Sequence, residues 1–140
     1  MVSPIPDILI SFARSNFNDQ EIAMKILSLS TDPELSLFRK RVLEAAGHEV
    51  VALNTEKEAL EQVAAPQQFD VVLVCHRLPD ATARRAIRLL RDSRSPAKVV
   101  YVVHLYGEWP EVEADRYVVG ADGPDALVRV ITEAVGRAAS

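Results

Sequence analysis

From residue 24 onward, short apolar segments of strand length alternate with segments in which apolar residues recur at helical spacing. The segments 71–75 and 99–103 are apolar almost throughout, as expected for strands that are buried on both faces of a sheet. Strands that alternate with helices favour right-handed crossovers and a parallel sheet. The five predicted strands are 25–29, 48–53, 71–75, 99–103 and 116–119.

Capping residues mark where the intervening helices begin and end. Asp32 followed by Pro33 predicts the start of the first helix, and Gly47 predicts its end. Three further helix starts are predicted at Thr55, Asp80 and Gly123. The apolar residues that repeat at helical spacing in the first helix are Leu35, Phe38, Val42 and Ala45.

Length, charge and cysteine content narrow the class of protein. A chain of 140 residues is one domain with one core, and its net charge of −4 disfavours nucleic acid and anionic membranes as partners. No apolar stretch is long enough to cross a bilayer, and no signal peptide is evident. The single cysteine excludes an internal disulfide and fits a reducing compartment, so we expect a cytoplasmic protein.

Residues 1–23 do not follow the alternating pattern, and we assign them to an N-terminal extension that precedes a domain at 24–140. One interpretation is a disordered extension. Another is an amphipathic face that packs on a partner or on a second copy of the chain, formed by Ile8, Leu9, Phe12 and Ala13. A third hypothesis is that translation starts at Met24, because the pattern begins there and Gln20–Glu21 can be encoded by a ribosome-binding sequence.

Three segments carry a resemblance to a known family. They are KILSLSTDPELSLFRKRVLEAAGHEVVALN, FDVVLVCHRLPD and ADRYVVGADGPDALVRVI. In this order they resemble the receiver domains of two-component response regulators over residues 24–138. The resemblance implies a CheY-like, flavodoxin-like, doubly wound α/β fold with a five-stranded parallel sheet in the order 2-1-3-4-5. Only residues 105–115 separate the last two strands, so we expect a short or missing fourth helix.

The resemblance also implies where a phosphorylation pocket would lie. Receivers use an acidic pair for magnesium, an aspartate as phosphoacceptor, then a Thr or Ser and a Lys at the last two strand ends. This chain has Ser30 and Thr31 at the acidic pair and Cys75 at the phosphoacceptor. Val103 is at the position of the Thr or Ser, or His104 if the alignment is shifted by one residue. Gly120 is at the position of the lysine. Asp32 is the carboxylate that remains, and capping the first helix is a sufficient role for it. We therefore expect a degenerate pocket with no catalytic residue, no metal and no cofactor.

Two further features allow competing interpretations. Cys75 and His104 fall at neighbouring strand ends, which permits thiol-based redox or nucleophilic activity, although a buried, inert thiol is the favoured alternative. Arg84, Arg88 and Arg91 share one face of the third helix. That face is either solvated, which we favour, or a docking face for an acidic partner or a nucleic-acid phosphate. Tyr106 and Trp109 belong to the surface that a shortened fourth helix would remodel.

The expected function is that of a phosphorylation-independent pseudo-receiver. Such a chain would be a protein-interaction module in bacterial two-component phosphorelay signalling and not an enzyme. The expected partner is an unidentified signalling protein, with a homodimer as an alternative; no membrane or nucleic-acid partner is expected.

Overall fold

Five parallel strands form a single sheet with helices on both faces. The computed structural model describes residues 23–65, 69–105 and 111–135. The strands are β1 (Lys25–Leu29), β2 (Glu49–Leu53), β3 (Val71–Cys75), β4 (Lys98–Val103) and β5 (Arg116–Val119). The α-helices of the described residues are α1 (Pro33–Ala45), α2 (Glu56–Ala64), α3 (Asp80–Asp92) and α4 (Pro124–Ala134). Residues 1–22, Tyr106 and Trp109 lie outside the described ranges.

The strand order is β2-β1-β3-β4-β5, and every pairing is parallel. This confirms the predicted flavodoxin-like, doubly wound fold. Between β4 and β5 the described residues 104–105 and 111–115 contain no helix, in keeping with a short or missing fourth helix. Because the chain reverses direction across the sheet between β2 and β3, the crevice of this fold opens at the carboxyl ends of β1 and β3.

Each face of the sheet is covered by a pair of helices. Leu27, Val72 and Val99 pack with residues of α2 and α3 in one cluster. The opposite face carries a second cluster, in which Ile26 and Leu73 pack with residues of α1 and α4. The central strands are therefore buried on both sides, as their continuous apolar sequence predicts. No helix of the described residues is both long and apolar enough to cross a bilayer.

The predicted caps are mostly confirmed. Asp32 Oδ1 accepts a hydrogen bond from the Leu35 N–H at 3.2 Å, and Thr55 Oγ1 accepts one from the Glu58 N–H at 3.1 Å. The prediction for Asp80 is wrong, because this residue is the first of α3 and the N-cap position belongs to Pro79. The Asp80 carboxylate instead accepts a hydrogen bond of 3.5 Å from the Tyr101 hydroxyl.

Helix α1 does not bury the face that its apolar residues predict. Phe38 is 54% exposed, whereas the buried residues of α1 are Ser36, Arg39 and Leu43. Leu43 is fully buried in the cluster with Ile26, so it fixes which side of the helix meets the sheet. Arg39 lies one helical turn before Leu43 on that same side. The helix consequently carries a charged side chain inward, toward the carboxyl end of the sheet.

His48 supports the start of the sheet in its neutral form. Its Nδ1 accepts a hydrogen bond of 3.1 Å from the Met24 N–H, so this nitrogen carries no proton. Burial lowers the pKa of His48, and the opposing charge of Asp70 offsets only part of that effect. Protonation of His48 would remove the acceptor that holds the residue before β1.

Candidate functional site

A cleft of about 290 Å³ lies at the carboxyl edge of the sheet, where the topology places a site. It combines side chains of α1, the loop after β3 and the segment after β4 with the backbone that follows β5. The lining residues include Leu35, Arg39, His76, Arg77, His104 and Gly120.

The three residues after β1 are engaged in local hydrogen bonds. Ser30 is buried, and its Oγ accepts a hydrogen bond of 3.0 Å from the Asp32 N–H. The Thr31 hydroxyl donates to the Arg77 carbonyl oxygen at 2.7 Å, which ties the end of β1 to the loop after β3. Asp32 caps α1 with one carboxylate oxygen, and the other lies 3.5 Å from Arg77 Nε. Its expected capping role is therefore confirmed.

Cys75 ends β3 as a buried thiol that is 2% exposed. Its Sγ accepts a hydrogen bond of 2.9 Å from Arg39 Nη1 and a longer one of 3.4 Å from the Arg77 N–H. His76 Nδ1 lies 3.8 Å from the same sulfur. The histidine beside the thiol is thus His76, whereas the sequence pairs Cys75 with His104.

Arg39 is the one charged residue among the buried polar residues of the described chain, with 6% of its surface exposed. Its guanidinium lies over Gly120: a Cβ added to that glycine would be 3.4 Å from Arg39 Nη2. A longer side chain at this position would compete with the guanidinium for the same space. None of the ion pairs found among the described residues involves Arg39.

Val103 and His104 have different positions at the end of β4. Val103 is 2% exposed and belongs to the core cluster on the side of α2 and α3, so it does not line the cleft. His104 does line the cleft, and its ring stacks on that of His76 with centroids 4.8 Å apart. The alternative register, shifted by one residue, therefore identifies His104, directly after β4, as the residue that faces the candidate site.

The arginine face of α3 contacts the segment that precedes β5. Arg91 Nη2 lies 2.9 Å from Asp115 Oδ2, and Arg84 Nη1 donates to the Glu111 carbonyl oxygen at 3.1 Å. Arg88 lines the groove between α3 and this segment. Two of the three arginines thus hold a part of the chain itself, and the use of this face by a partner stays a prediction.

Asp115 is the centre of that contact. Its carboxylate accepts hydrogen bonds from Arg91 Nη2 and from the Val99 N–H, the latter at 2.7 Å. Partial burial alone would raise the pKa of Asp115, but these two hydrogen bonds and the nearby positive charge lower it below its ordinary value. The ionised carboxylate therefore fastens the segment before β5 to α3 and β4.

The comparison with known proteins identifies the fold. The structure is similar to a response regulator receiver domain from Clostridium thermocellum, with a TM-score of 0.70 and 20% sequence identity over 84% of this chain and 98% of that one. The receiver domain of sensor histidine kinase PA1611 from Pseudomonas aeruginosa matches with a TM-score of 0.68 and 18% identity over 82% and 99%. Vibrio cholerae CheY4 matches with a TM-score of 0.68 and 20% identity over 81% and 99%.

No protein-family model matches the chain, and no curated protein matches it significantly in sequence. The chain thus has the receiver-domain fold of two-component proteins, as the three segments of the sequence indicate.

The side chains of the cleft do not fit a magnesium site. The Pseudomonas receiver domain was solved with a magnesium ion coordinated in its active-site cleft. Hard Mg²⁺ needs oxygen ligands, chiefly carboxylates. Here Asp32 is engaged by α1 and Arg77, and the Cys75 thiol faces the Arg39 guanidinium. Within the described ranges, no group of three or more His, Cys, Asp or Glu residues could hold a metal ion.

Sequence reasoning missed Arg39, His76 and Arg77 as residues of the site. A signal for Arg39 was present, because Leu35, Arg39 and Leu43 recur every four residues and therefore share one side of α1. The stronger apolar repeat through Phe38 obscured it. His76 and Arg77 directly follow β3. Sites in parallel sheets form at the carboxyl ends of the strands, so this position alone indicates that both residues are candidates for the site.

Proposed function

We propose that this chain is a phosphorylation-independent pseudo-receiver that acts as a protein-interaction module in bacterial two-component phosphorelay signalling. In this proposal it works in the cytoplasm and is not an enzyme. The observation that carries the proposal is the hydrogen bond of 2.9 Å from Arg39 Nη1 to Cys75 Sγ. A buried cation contacts the residue that occupies the expected phosphoacceptor position.

This arrangement opposes phosphoryl transfer in two ways. A phosphoryl group moving to an aspartate needs that carboxylate and a metal ion that neutralises the developing charge. Cys75 supplies a thiol, and the carboxylate that follows β1, Asp32, already caps α1 and contacts Arg77. The fixed contacts of Ser30 and Thr31 support the same conclusion, because both side chains serve the fold.

The interaction role is supported by what the chain retains. Within the described residues the sheet keeps helices on both faces and a crevice at its carboxyl edge, so these surfaces of the fold remain available although the pocket chemistry differs. Arg88 on α3 is exposed and lines an open groove, which suits an acidic partner surface. A homodimer is the alternative partner, and the sedimentation coefficient of the purified chain at micromolar concentration distinguishes the two.

Phosphorylation is tested by incubating the chain with acetyl phosphate and Mg²⁺, followed by intact mass spectrometry under mild conditions. The expected spectrum shows the unmodified mass. A receiver domain that keeps its phosphoacceptor aspartate, treated in parallel, serves as the positive control. A gain of one phosphoryl group on this chain, lost in Cys75→Ala, would refute the proposal.

A second candidate function is a thiol-based activity at Cys75. It is favoured by one observation: an arginine and a histidine both contact the sulfur, and reactive cysteines have such surroundings. It is opposed by the 2% exposure of the residue. The test is the rate of alkylation at pH 6 in native protein and in urea. Rapid native labelling would favour thiol chemistry, whereas labelling only after unfolding would exclude it.

A further inference from the structure

The guanidinium of Arg39 is buried without a carboxylate partner among the described residues. Its hydrogen bond to Cys75 Sγ uses one of five N–H donors, and a thiol sulfur is a weak, uncharged acceptor. Removing a charge from water is costly unless an opposite charge or several good acceptors replace the water. The structure therefore leaves a cation whose compensation is incomplete, at the wall of an open cleft.

The other polar side chains that line the cleft are also basic. Arg77 lines it from the loop after β3, and so do the stacked rings of His76 and His104. The missing side chain of Gly120 leaves open the space next to Arg39 Nη2. Asp32 contacts Arg77 and is not among the lining residues, and no described acidic residue lines this cleft. The lining is thus basic without an acidic counterpart, unlike that of the α3 groove, which includes Glu111, Glu113 and Asp115.

We propose that this cleft is a non-covalent binding site for a phosphate-type anion, with Arg39 as the principal ligand-binding residue. An arginine fork binds a tetrahedral oxyanion through two parallel N–H bonds, and such charge-assisted bonds are strong in a partly buried site. A volume of about 290 Å³ is at the lower limit of small-ligand pockets. The site therefore suits inorganic phosphate or a small phosphomonoester and not a nucleotide.

The proposal of an anion site is independent of the proposed signalling role. Anion binding does not require a partner protein, and a partner protein can dock without an anion. The bound anion would connect α1, the loop after β3 and the end of β4. It would therefore stabilise the folded state by mass action. Phosphate would act as a reversibly bound ligand, and no covalent bond to the protein would be formed or broken.

The test is a calorimetric titration of the purified chain with inorganic phosphate, in a buffer of constant ionic strength adjusted with sodium chloride. We expect saturable binding of one anion and weaker binding of acetate. Phenyl phosphate is the second probe: tighter binding than inorganic phosphate would assign the site to an ester, and equal or weaker binding would assign it to the free ion. No phosphate binding beyond that of chloride, or equal affinity for acetate, would overturn the proposal.

The decisive variant is Arg39→Met, which keeps most of the aliphatic stem and removes the charge. We expect its phosphate affinity to fall by about tenfold to a hundredfold, the range for one lost charge-assisted contact. Arg41→Met is the matched control, because Arg41 is an exposed residue of the same helix, and its affinity should equal that of the original chain. Unchanged affinity in Arg39→Met would contradict the assignment.

A measurement on the unaltered chain keeps the proposal testable even when a variant fails to fold. Amide ¹H–¹⁵N spectra recorded during a phosphate titration should show shifts at His76, Arg77, His104 and Gly120 and at the Arg39 side-chain Nε–H. Residues of α4 far from the cleft should not move. Shifts confined to another surface, such as the arginine face of α3, would place the anion elsewhere and overturn the proposal.

Discussion

Replacing Arg39 by methionine should leave the fold intact and, in buffer free of phosphate and sulfate, make it more stable. Arg39 is 6% exposed, and its charged end has one described hydrogen bond, to the Cys75 thiol. Methionine can fill the space of the aliphatic stem with a flexible apolar chain. The substitution therefore removes a buried charge while preserving most of the packing between α1 and the sheet.

The magnitude follows from two opposing contributions. The lost hydrogen bond to sulfur destabilises the fold by about 1 kcal/mol. Relief from burying an incompletely compensated cation stabilises it by several kcal/mol, because the effective penalty in proteins is of that size. The net prediction is a gain of about 1–3 kcal/mol in the free energy of unfolding, reduced by the small void that the shorter side chain leaves.

The assay is urea unfolding monitored by circular dichroism, with and without inorganic phosphate. Arg41→Met should change the unfolding free energy by less than about 0.5 kcal/mol, as expected for an exposed position. Phosphate should stabilise the original chain and not Arg39→Met. A loss of about 3–5 kcal/mol in Arg39→Met without phosphate is the size found when one member of a buried ion pair is removed. That result would refute the reasoning, because it would show that Arg39 is already fully compensated by the protein.

Two further predictions concern pH. The lowered pKa of Asp115 means that its contribution is present above its unfolded pKa of about 3.9 and is lost as the pH falls through the lower folded value. Asp115→Asn should therefore cost about 0.5–1 kcal/mol at pH 7, a modest figure because the Arg91 pair is partly exposed. The difference should shrink as the pH falls through the folded pKa of Asp115. Glu113→Gln is the control, and a difference that stays constant with pH would contradict the assignment. The pKa of His48 is lower in the folded chain than in the unfolded chain, where it is about 6.5. As the pH falls through this range, His48 is protonated in the unfolded chain before it is protonated in the folded chain. The free energy of unfolding should therefore decrease on acidification and become constant below the folded pKa. His48→Gln should flatten this dependence between pH 7 and 5 in urea titrations, and an unchanged slope would count against a neutral His48.

The elements of the fold could be predicted from sequence because their signals are local. Continuous apolar runs identify β3 and β4, and Asp32 and Thr55 start their helices through side-chain caps that involve residues only three positions away. The Asp80 cap failed because Pro79 occupies the N-cap position and Asp80 is the first helical residue, and its carboxylate accepts a hydrogen bond from Tyr101 instead. Local chemistry was sufficient wherever no tertiary contact competed with it.

The candidate site was predicted less completely, because its residues meet only through the tertiary structure. The positions at the strand ends followed from the resemblance, and Cys75, His104 and Gly120 do lie around the cleft or directly beside it. Arg39 comes from the middle of α1, and its inward direction depends on how Leu43 seats that helix on the sheet. The spacing of residues along α1 does not by itself distinguish an arginine that faces the cleft from one that faces solvent.

The central proposal is that the cleft at the carboxyl edge of the sheet is a basic site that binds a phosphate-type anion and not Mg²⁺. Calorimetric titration of the same protein sample with Mg²⁺ and, separately, with inorganic phosphate tests this claim most directly. The account predicts saturable binding of phosphate and no binding of Mg²⁺. Saturable Mg²⁺ binding without phosphate binding would contradict it.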